Sequence, residues 1–304
     1  MSTHDDRTAS LIEKATHRLR QPEQPAPVAG PAGFQPQRGG ADAAAGRDAA
    51  PGEPSGKSVK IDIGRLRAQG YLTPDGERTQ VAEEFRAIKR PLLDNAFGKS
   101  AALVEHGNLI MVTSSIPGEG KTYTAMNLAM SIAMEMDKTV LLIDADAGRA
   151  RIHDLLNIPL GPGLMDLLID ESLDVADVML RTNIPKLRLI PMGQFHAHST
   201  ELLASDNMSR LVRELETRYP DRLVIFDSPP ILATSDAAVL AGLVGQVVFV
   251  VEASHTPQGY VKDALALIDS SKPIGLVLNK ARKAAGSSYY GYGSYGYGYH
   301  GAKA

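Results

Sequence analysis

The chain of 304 residues contains no cysteine, which excludes disulfides, thiolate metal sites and cysteine-bridged iron–sulfur clusters. Its net charge is −3 at pH 7, so it lacks the excess of positive charge that is typical of nucleic-acid-binding proteins. No apolar run approaches the roughly 18–20 residues of a membrane span. The residues after Met1 are polar, so we expect no signal peptide. These absences predict a cytoplasmic protein that does not bind nucleic acid.

Aromatic residues are also scarce, at 5% of the chain, but most of the tyrosines lie in one place. Glycine, serine and alanine fill most of residues 286–304, which have no apolar period and are predicted to form a flexible tail. Six of the ten tyrosines fall there, namely Tyr289, Tyr290, Tyr292, Tyr295, Tyr297 and Tyr299. The tail is either a Gly/Tyr segment prone to association or a set of phenol groups presented to an enzyme.

The N-terminal part divides into a short helix, a linker and an ordered lead-in. Residues 9–20 have apolar residues on one helical face, and this helix is either a solvated, marginal one or a docking element. Proline, glycine and alanine then dominate to about residue 57, which predicts a disordered linker. We therefore predict four regions: 1–58 as helix and linker, 59–107 as a lead-in with a helix over 79–95, 108–285 as the main domain, and 286–304 as the tail.

From residue 108, segments typical of strands and helices alternate. The predicted strands cover 109–113, 139–143, 187–191, 223–226, 247–251 and 274–278. The predicted helices cover 121–136, 201–218, 235–242 and 258–270. Several of the strands are almost entirely apolar, as expected for a parallel sheet that is covered on both faces. The predicted fold is therefore α/β, with a doubly wound, mostly parallel sheet.

A glycine-rich loop follows the first of these strands and precedes a helix. Residues 115–122 match the Walker A pattern of P-loop NTPases, except that Ser115 replaces the first glycine. In such a loop, Gly118 and Gly120 let backbone N–H groups wrap a phosphate, Lys121 adds a positive charge, and Thr122 offers its hydroxyl to Mg²⁺. The alternative is a chance glycine-rich turn. The predicted nucleotide-binding residues of the loop are Ser115, Pro117, Gly118, Glu119, Gly120, Lys121, Thr122 and Tyr123.

Two further apolar strands run directly into aspartates. Asp144 and Asp146 follow one of them, and Asp227 follows the other. Ligands of open α/β sheets bind at the carboxyl ends of the strands, so we expect all three carboxylates near the glycine-rich loop. Asp227 then fits a Walker B aspartate that holds Mg²⁺. The alternative for each aspartate is a cap of the following helix. Asp144 and Asp146 are so close that their carboxylates repel each other unless a cation lies between them.

These residues together resemble the bacterial protein-tyrosine kinases of exopolysaccharide synthesis (BY-kinases), in particular the tyrosine autokinases of exosortase-associated loci. The resemblance covers about residues 81–299. It rests on residues 113–122, 141–146 and 226–230, on the tyrosine cluster, and on a helix that resembles a ring-forming E-x-x-R-x-x-R motif. In that motif Lys89 replaces the last arginine, and Arg90 is adjacent. The implied oligomerisation residues are Glu83, Arg86 and Arg90.

The resemblance implies roles for individual residues. Lys121, Asp144 and Asp146 would be catalytic, with Asp144 assisting transfer to tyrosine. Thr122, Asp146 and Asp227 would hold Mg²⁺. Asn279 resembles the family's adenine-contacting position, although a helix cap or turn residue is an equal alternative. One departure stands out: the family continues as Asp-Ala-Asp-Leu-Arg-Arg-Pro, whereas this chain has Ala147, Gly148, Arg149 and Ala150. The loss of one arginine predicts reduced activity if that arginine positions substrate or metal ligands.

The sequence thus predicts an ATP- and Mg²⁺-dependent tyrosine autokinase that phosphorylates its own tail within a ring and regulates exopolysaccharide synthesis or export. The expected partners are further copies of the chain, a separate membrane chain-length regulator that activates the kinase at the inner face of the membrane, and a tyrosine phosphatase. Two alternatives stay open. A partitioning ATPase of the same fold usually has a second lysine early in the loop, which this chain lacks. A nucleotide-binding scaffold without transfer activity is the other.

Overall fold

In a computed structural model, the chain is described over residues 57–76, 79–98, 104–149 and 151–281. The predictions for the helix over 9–20, for the linker and for the tail tyrosines lie outside these residues. The described strands are β1 (Ser58–Val59), β2 (Leu109–Ser114), β3 (Thr139–Asp144), β4 (Leu180–Thr182), β5 (Leu187–Ile190), β6 (Arg222–Asp227), β7 (Gln246–Glu252) and β8 (Ile274–Asn279). The described helices are α1 (Ile63–Ala68), α2 (Gln80–Phe97), α3 (Lys121–Ala133), α4 (Arg151–Leu156), α5 (Leu164–Ile169), α6 (Val175–Val178), α7 (Ser199–Leu203), α8 (Asp206–Thr217), α9 (Ser235–Leu243) and α10 (Gln258–Leu265).

The strands form one eight-stranded sheet in the order β1-β4-β5-β3-β6-β2-β7-β8. Every neighbouring pair is parallel except β4 and β5, which are antiparallel. The central strands β2, β3 and β6 are buried along almost their whole length, which explains their continuous apolar sequence. The predicted doubly wound, mostly parallel sheet is confirmed.

Two hydrophobic layers cover the sheet, one on each face. Alternate residues of each strand point to opposite faces, so Leu141 and Ile143 pack on one layer, while Val140 and Leu142 pack on the other. The first layer includes helices α5, α7, α8 and α9. The second includes α1 to α4, so the lead-in belongs to the same hydrophobic core as the phosphate-loop helix α3.

Predicted and observed helices differ mainly at their ends. The helix predicted over 79–95 begins at Gln80, because the Thr79 side chain caps it by accepting a hydrogen bond from the N–H of Ala82. The single helix predicted over 201–218 is wrong, since two helices, α7 and α8, cover this stretch. The break lies at Ser205, whose hydroxyl accepts a hydrogen bond of 3.2 Å from the N–H of Met208 and so begins a new helix.

Several short elements were not predicted, namely β1, β4 and helices α1, α4, α5 and α6. Each has at most six residues, which is too short for a periodic pattern to stand out. Within the described parts of the chain, no helix is both long enough and apolar enough to cross a lipid bilayer.

Candidate active site

The loop between β2 and α3 has a backbone that only glycine adopts easily. Gly118 has φ 93° and Gly120 has φ 100°, both in the region that side chains disfavour. The two positions differ in their surroundings. A Cβ on Gly120 would lie 2.0 Å from the Nδ2 of Asn279, whereas a Cβ on Gly118 would meet no atom within 4 Å. Gly120 therefore requires glycine for space as well as for conformation.

Glu119 lies inside this loop instead of facing a ligand. Its buried carboxylate accepts a hydrogen bond of 2.7 Å from the N–H of Ile116 and another from the hydroxyl of Thr256. The N–H of Glu252 lies 3.4 Å away on the same carboxylate. The predicted role of Glu119 in nucleotide binding can thus be carried by its backbone only, because its side chain holds the loop in shape.

The end of β8 fastens the loop from the other side. The Asn279 side-chain amide donates a hydrogen bond of 2.8 Å to the carbonyl of Glu119. The ammonium of Lys280 donates to the carbonyl of Gly118 at 2.8 Å and forms an ion pair with Glu252 at 2.9 Å. Sequence reasoning missed Lys280, since a lysine one residue past a strand carries no signal that it will reach a loop 162 residues earlier.

The sheet register brings the predicted carboxylates together. Asp144 at the end of β3 lies opposite Asp227 at the end of β6, and Val112 of β2 also pairs with Asp227. The N–H of Ala145 donates a hydrogen bond of 2.8 Å to the Asp227 carbonyl, which continues the pairing beyond the strand end. Both carboxylates are almost completely buried, and Asp146 is 8% exposed.

Asp227 is a buried carboxylate without a partner in the described part of the chain. Neither of its oxygens accepts a hydrogen bond of normal geometry. Burial raises its pKa to about 7, although the nearby Thr122 hydroxyl and the charge of Lys121 act to lower it. A carboxylate in this state is costly unless a cation or a proton satisfies it.

Asp144 and Asp146 are better satisfied. Asp144 accepts hydrogen bonds from the N–H groups of Asp146 at 3.3 Å and Ile152 at 3.2 Å. Burial and then the charge of Asp227 nevertheless raise the pKa of Asp144 well above its usual value. Burial also raises the pKa of Asp146, against the opposing effect of Lys121. Burial lowers the pKa of Lys121 itself, and the two nearby carboxylates, Asp227 and Asp146, oppose that change.

These oxygen groups fit a magnesium ion. Thr122, Asp146 and Asp227 offer a hydroxyl and carboxylates, which are the ligands that hard cations prefer. The two unpartnered oxygens of Asp227 are the observation that favours a cation here. The described residues contain no group of three acidic or histidine side chains arranged as a ready metal cage. This agrees with magnesium sites that use few protein ligands together with phosphates and water.

A cavity of about 510 Å³ opens beside the loop. Its lining residues are Tyr71, Gly118, Gly120, Lys121, Thr122, Tyr123, Arg149, Arg151, Asp154 and Leu155. Five of the predicted nucleotide-binding residues are thus brought to one cavity. Ser115 is buried, Pro117 is exposed, and Asn279 contacts the loop, but none of the three lines the cavity.

Tyr71 and Arg151 line the cavity although sequence reasoning did not select them. Tyr71 comes from the lead-in, which two hydrogen bonds join to α3. The N–H of Leu72 donates to the Asn127 Oδ1 at 2.7 Å. The hydroxyl of Tyr123 donates to the Gly70 carbonyl at 3.0 Å. The rings of Tyr71 and Tyr123 have centroids 5.1 Å apart. These contacts join segments far apart in sequence, so no local spacing reveals them.

Helix α2 carries the predicted oligomerisation residues. Glu83 and Arg90 are exposed, Arg86 is half-buried, and Glu83 and Arg86 form an ion pair within the helix. Lys89 is different: it is buried, donates to the Ser131 carbonyl at 2.6 Å and pairs with Glu135 at 2.7 Å. Lys89 therefore fastens α2 to the end of α3, and Arg90 is the exposed cation of this turn.

Comparison with known proteins places the chain in a family. The sequence family described as an AAA domain matches residues 107–262, which is more than half of the chain. Tyrosine-protein kinase Wzc of Salmonella typhimurium is 33% identical over 245 residues, 79% of this chain and 33% of Wzc. Tyrosine-protein kinase YwqD of Bacillus subtilis is 33% identical over 214 residues, 69% of this chain and 85% of YwqD. This chain belongs to the bacterial tyrosine-protein kinase family.

A solved structure from this kinase family agrees. The kinase domain of the Escherichia coli tyrosine kinase ETK has 26% identity and a TM-score of 0.57, and the match covers 74% of this chain and 98% of that domain. The chain corresponds to about a third of the length of Wzc but to most of YwqD. The family predicted from the phosphate loop and the aspartates is thus confirmed, as is its P-loop fold.

Proposed function

We propose that the chain transfers the γ-phosphoryl group of ATP to the tyrosines of its own tail, Tyr289, Tyr290, Tyr292, Tyr295, Tyr297 and Tyr299. The observation that carries this proposal is the convergence of Asp144, Asp227 and Lys121 at the carboxyl ends of neighbouring strands. Lys121 also lines the cavity beside the glycine-rich loop. A phosphate site and buried carboxylates at one sheet edge suit phosphoryl transfer, which depends mainly on positioning and charge stabilisation.

The residues of the loop would hold the phosphates. Backbone N–H groups around Gly118 and Gly120 would surround the β-phosphate, and Lys121 would neutralise developing negative charge. Magnesium, held by Thr122, Asp146 and Asp227, would offset the charge of the β- and γ-phosphates. Asn279 is proposed to face the adenine, which requires its amide to exchange or share its hydrogen bond with the Glu119 carbonyl.

Asp144 is proposed as the general base. In the transfer, a bond forms between the phenol oxygen and the γ-phosphorus while the bond from that phosphorus to the ADP oxygen breaks. The phenol proton passes to the Asp144 carboxylate. A raised pKa makes Asp144 a stronger base than an ordinary aspartate, and its two hydrogen bonds from backbone N–H groups fix its orientation.

The acceptor tail would belong to a neighbouring subunit. Glu83, Arg86 and Arg90 lie together on α2 and are proposed to contact the next copy in a ring. Each phosphotyrosine adds about −1.5 to −2 charges, so phosphorylation of the tails would weaken the ring by repulsion. An unmodified chain would assemble, and a fully phosphorylated chain would disperse.

The proposed setting is exopolysaccharide synthesis or export. A separate membrane chain-length regulator would activate the kinase and hold it at the inner face of the membrane. The predicted helix over residues 9–20 is a candidate docking element. A tyrosine phosphatase would reset the cycle. Measurements of binding and of tail phosphorylation with the cytoplasmic segment of such a regulator test this arrangement. An unchanged rate of phosphorylation in the presence of the segment would contradict the proposed activation.

One experiment separates the kinase from the two alternatives. The full chain is incubated with Mg²⁺ and ATP labelled on the γ-phosphate, alongside Lys121→Met and a variant that lacks residues 286–304. Label on tail tyrosines that both variants lose supports the kinase. Release of free phosphate without tail label indicates a partitioning-type ATPase. Nucleotide binding without turnover, also with a regulator segment added, indicates a scaffold.

A further inference from the structure

The Arg151 side chain lies at the wall of the active-site cavity. Arg151 is the first residue of α4, is exposed, and lines the cavity together with Lys121 and Thr122. Its guanidinium makes no ion pair or hydrogen bond within the described parts of the chain. Asp154 lies one turn further on and lines the same cavity. Its carboxylate does not pair with Arg151 and lies 3.7 Å from the Nδ1 of His153.

The charge of Arg151 acts on the groups that surround the phosphate loop. It lowers the pKa of Lys121, Asp146, Asp227 and Tyr71. These groups belong to different segments, the lead-in, α3 and the ends of β3 and β6. The charge of Arg151 at the cavity wall therefore reaches groups from several sides of the phosphate loop.

Arg149 provides the contrast. It lines the same cavity, but the only contact it adds to the carboxylates is a backbone N–H donated to Asp146 at 3.2 Å. Some exposed arginines elsewhere have acidic partners, as Arg67 has Asp75 at 2.7 Å and Arg218 has Glu214. Neither cavity-lining arginine has a side-chain partner in the described chain, but Arg151 is the one whose charge lowers the pKa of Lys121, Asp146 and Asp227.

The start of α4 is also held in place. Ile152, the residue after Arg151, donates its N–H to the Asp144 carboxylate at 3.2 Å. This hydrogen bond ties the Arg151 backbone to the end of β3, two strands from the loop in the order β3-β6-β2. Two cations on one cavity wall repel each other unless an anion lies between them, and a guanidinium fork matches the oxygens of a phosphoryl group.

We propose that Arg151 binds a phosphoryl group in this cavity, together with Lys121, as a residue of the phosphoryl-transfer site. The proposal rests on the proposed function of the loop as an ATP site. Two sources supply the same chemistry: the γ-phosphate of ATP before transfer, and the phosphate of a phosphotyrosine after it. The chain has Gly148 where the resembled family pattern has an arginine, and Arg151, three residues later, would supply the missing charge.

Binding measurements on the full chain test this by calorimetric titration with Mg²⁺ present. The first arm compares ADP with a non-hydrolysable ATP analogue, and the second adds phenyl phosphate to the ADP-bound chain. The variants are Arg151→Gln, Arg151→Lys and Arg149→Gln. Arg213→Gln serves as a control for net charge, because Arg213 is exposed on α8 and does not line the cavity.

A contact with the γ-phosphate predicts that Arg151→Gln weakens binding of the ATP analogue by about 10- to 100-fold, as expected for a lost charged hydrogen bond, and leaves ADP binding unchanged. The affinity of Arg151→Lys for the ATP analogue is expected to lie between those of wild type and Arg151→Gln, since lysine keeps the charge but not the two-pronged guanidinium geometry. A contact with phosphotyrosine predicts instead that only phenyl phosphate binding is lost. A merely structural role would weaken ADP equally, and that result overturns the proposal.

The same data keep the two proposals apart. Suppose that the wild-type chain binds the ATP analogue and that Arg151→Gln binds every ligand with wild-type affinity. The proposed role of Arg151 is then wrong, whereas the proposed ATP site is supported. If Arg149→Gln has the larger effect, the wrong arginine has been assigned. If the wild-type chain binds no nucleotide, both proposals fail. Circular dichroism melting of each variant confirms that the chains compared are folded.

Discussion

The carboxylate of Asp144 accepts a hydrogen bond of 3.2 Å from the backbone N–H of Ile152. This contact gives one side chain two tasks, since Asp144 is the proposed base and also fixes the first turn of α4, where Arg151 lies. A substitution at Asp144 can therefore remove the proposed base, loosen the first turn of α4, or do both, depending on which side-chain atoms the new residue keeps.

Asp144→Asn is expected to lower the rate of tail phosphorylation by about 100- to 10,000-fold, the usual contribution of a general base. Asparagine keeps one of the two oxygens that accept from the N–H groups of Asp146 and Ile152, so the affinity for ADP is expected to stay near wild type. Asp144→Ala loses both acceptors, so the fastest amide hydrogen exchange at Ile152 is expected in this variant. Wild-type phosphorylation by Asp144→Asn would exclude the proposed base.

Asp227 predicts a specific dependence of stability on pH. Its pKa is about 7 in the folded chain and close to 3.8 when exposed. Between these values only the folded state holds the proton, so the free energy of unfolding from this group falls as pH rises from about 4 to about 7. Below that window Asp227 is protonated in both states and does not change the free energy of unfolding. Above it, the carboxylate is ionised in both states and the full cost of burying its charge lowers the free energy of unfolding.

Asp227→Asn removes this penalty, so at pH 8 without nucleotide the variant is expected to be more stable than wild type, by up to about 4 kcal/mol. Urea unfolding at pH 4 and pH 8 measures the effect. Asp263→Asn, an exposed change on α10, is the control and is expected to show no difference between the two pH values. The added stability conferred by Mg²⁺ with ADP is expected to be lost in Asp227→Asn. A variant less stable than wild type at pH 8 would contradict the assignment of Asp227 as an unsatisfied carboxylate.

The two loop glycines predict unequal effects. Gly120→Ala places a methyl group against the Asn279 amide and is expected to abolish binding of ADP by displacing the loop. Gly118→Ala meets only open space, so the expected cost is conformational, about 1–2 kcal/mol. Titration with ADP and melting curves compare the pair. Equal loss of binding in both variants would show that the Asn279 contact does not matter.

Helix α2 predicts a separation between folding and assembly. Lys89→Ala breaks a buried ion pair with Glu135 and is expected to destabilise the chain by about 3 kcal/mol. Arg86→Ala combined with Arg90→Ala changes side chains nearer the surface, so the melting temperature is expected to stay within a few degrees while the oligomer mass falls. Light scattering and thermal melts measure both. An unchanged mass in the double variant would remove these arginines from the proposed ring contact.

The parts of the fold that the sequence predicts are those with strong local signals. The strand before residue 115, the glycines and the helix that begins at Lys121 follow one another directly, so the phosphate loop could be placed without a structure. The approach of Asp144 to Asp227 followed from the rule that parallel strands end at one edge. Strand β4, with three residues and an antiparallel partner, has no such pattern.

The rest of the site depends on contacts between distant segments. A helical motif cannot tell which of two adjacent cations points inward, so the buried role of Lys89 needed the packing of α2 on α3. Arg151 and Lys280 are ordinary surface residues by sequence, and only their approach to the loop distinguishes them. The departure at Ala147 and Gly148 was visible in the sequence, but the place of Arg151 on the cavity wall was not.

The buried carboxylate of Glu119 has a consequence for the speed of binding. The N–H of Ile116 and the hydroxyl of Thr256 hold the Glu119 carboxylate inside the loop. A nucleotide therefore meets a loop that is already in shape, and only the hydrogen bond between Asn279 and the Glu119 carbonyl has to change. Association with such a rigid site is not slowed by a search among loop conformations. Differences in affinity between nucleotides would then arise mainly from their dissociation rates, and the release of ADP would set the rate at which ATP replaces it.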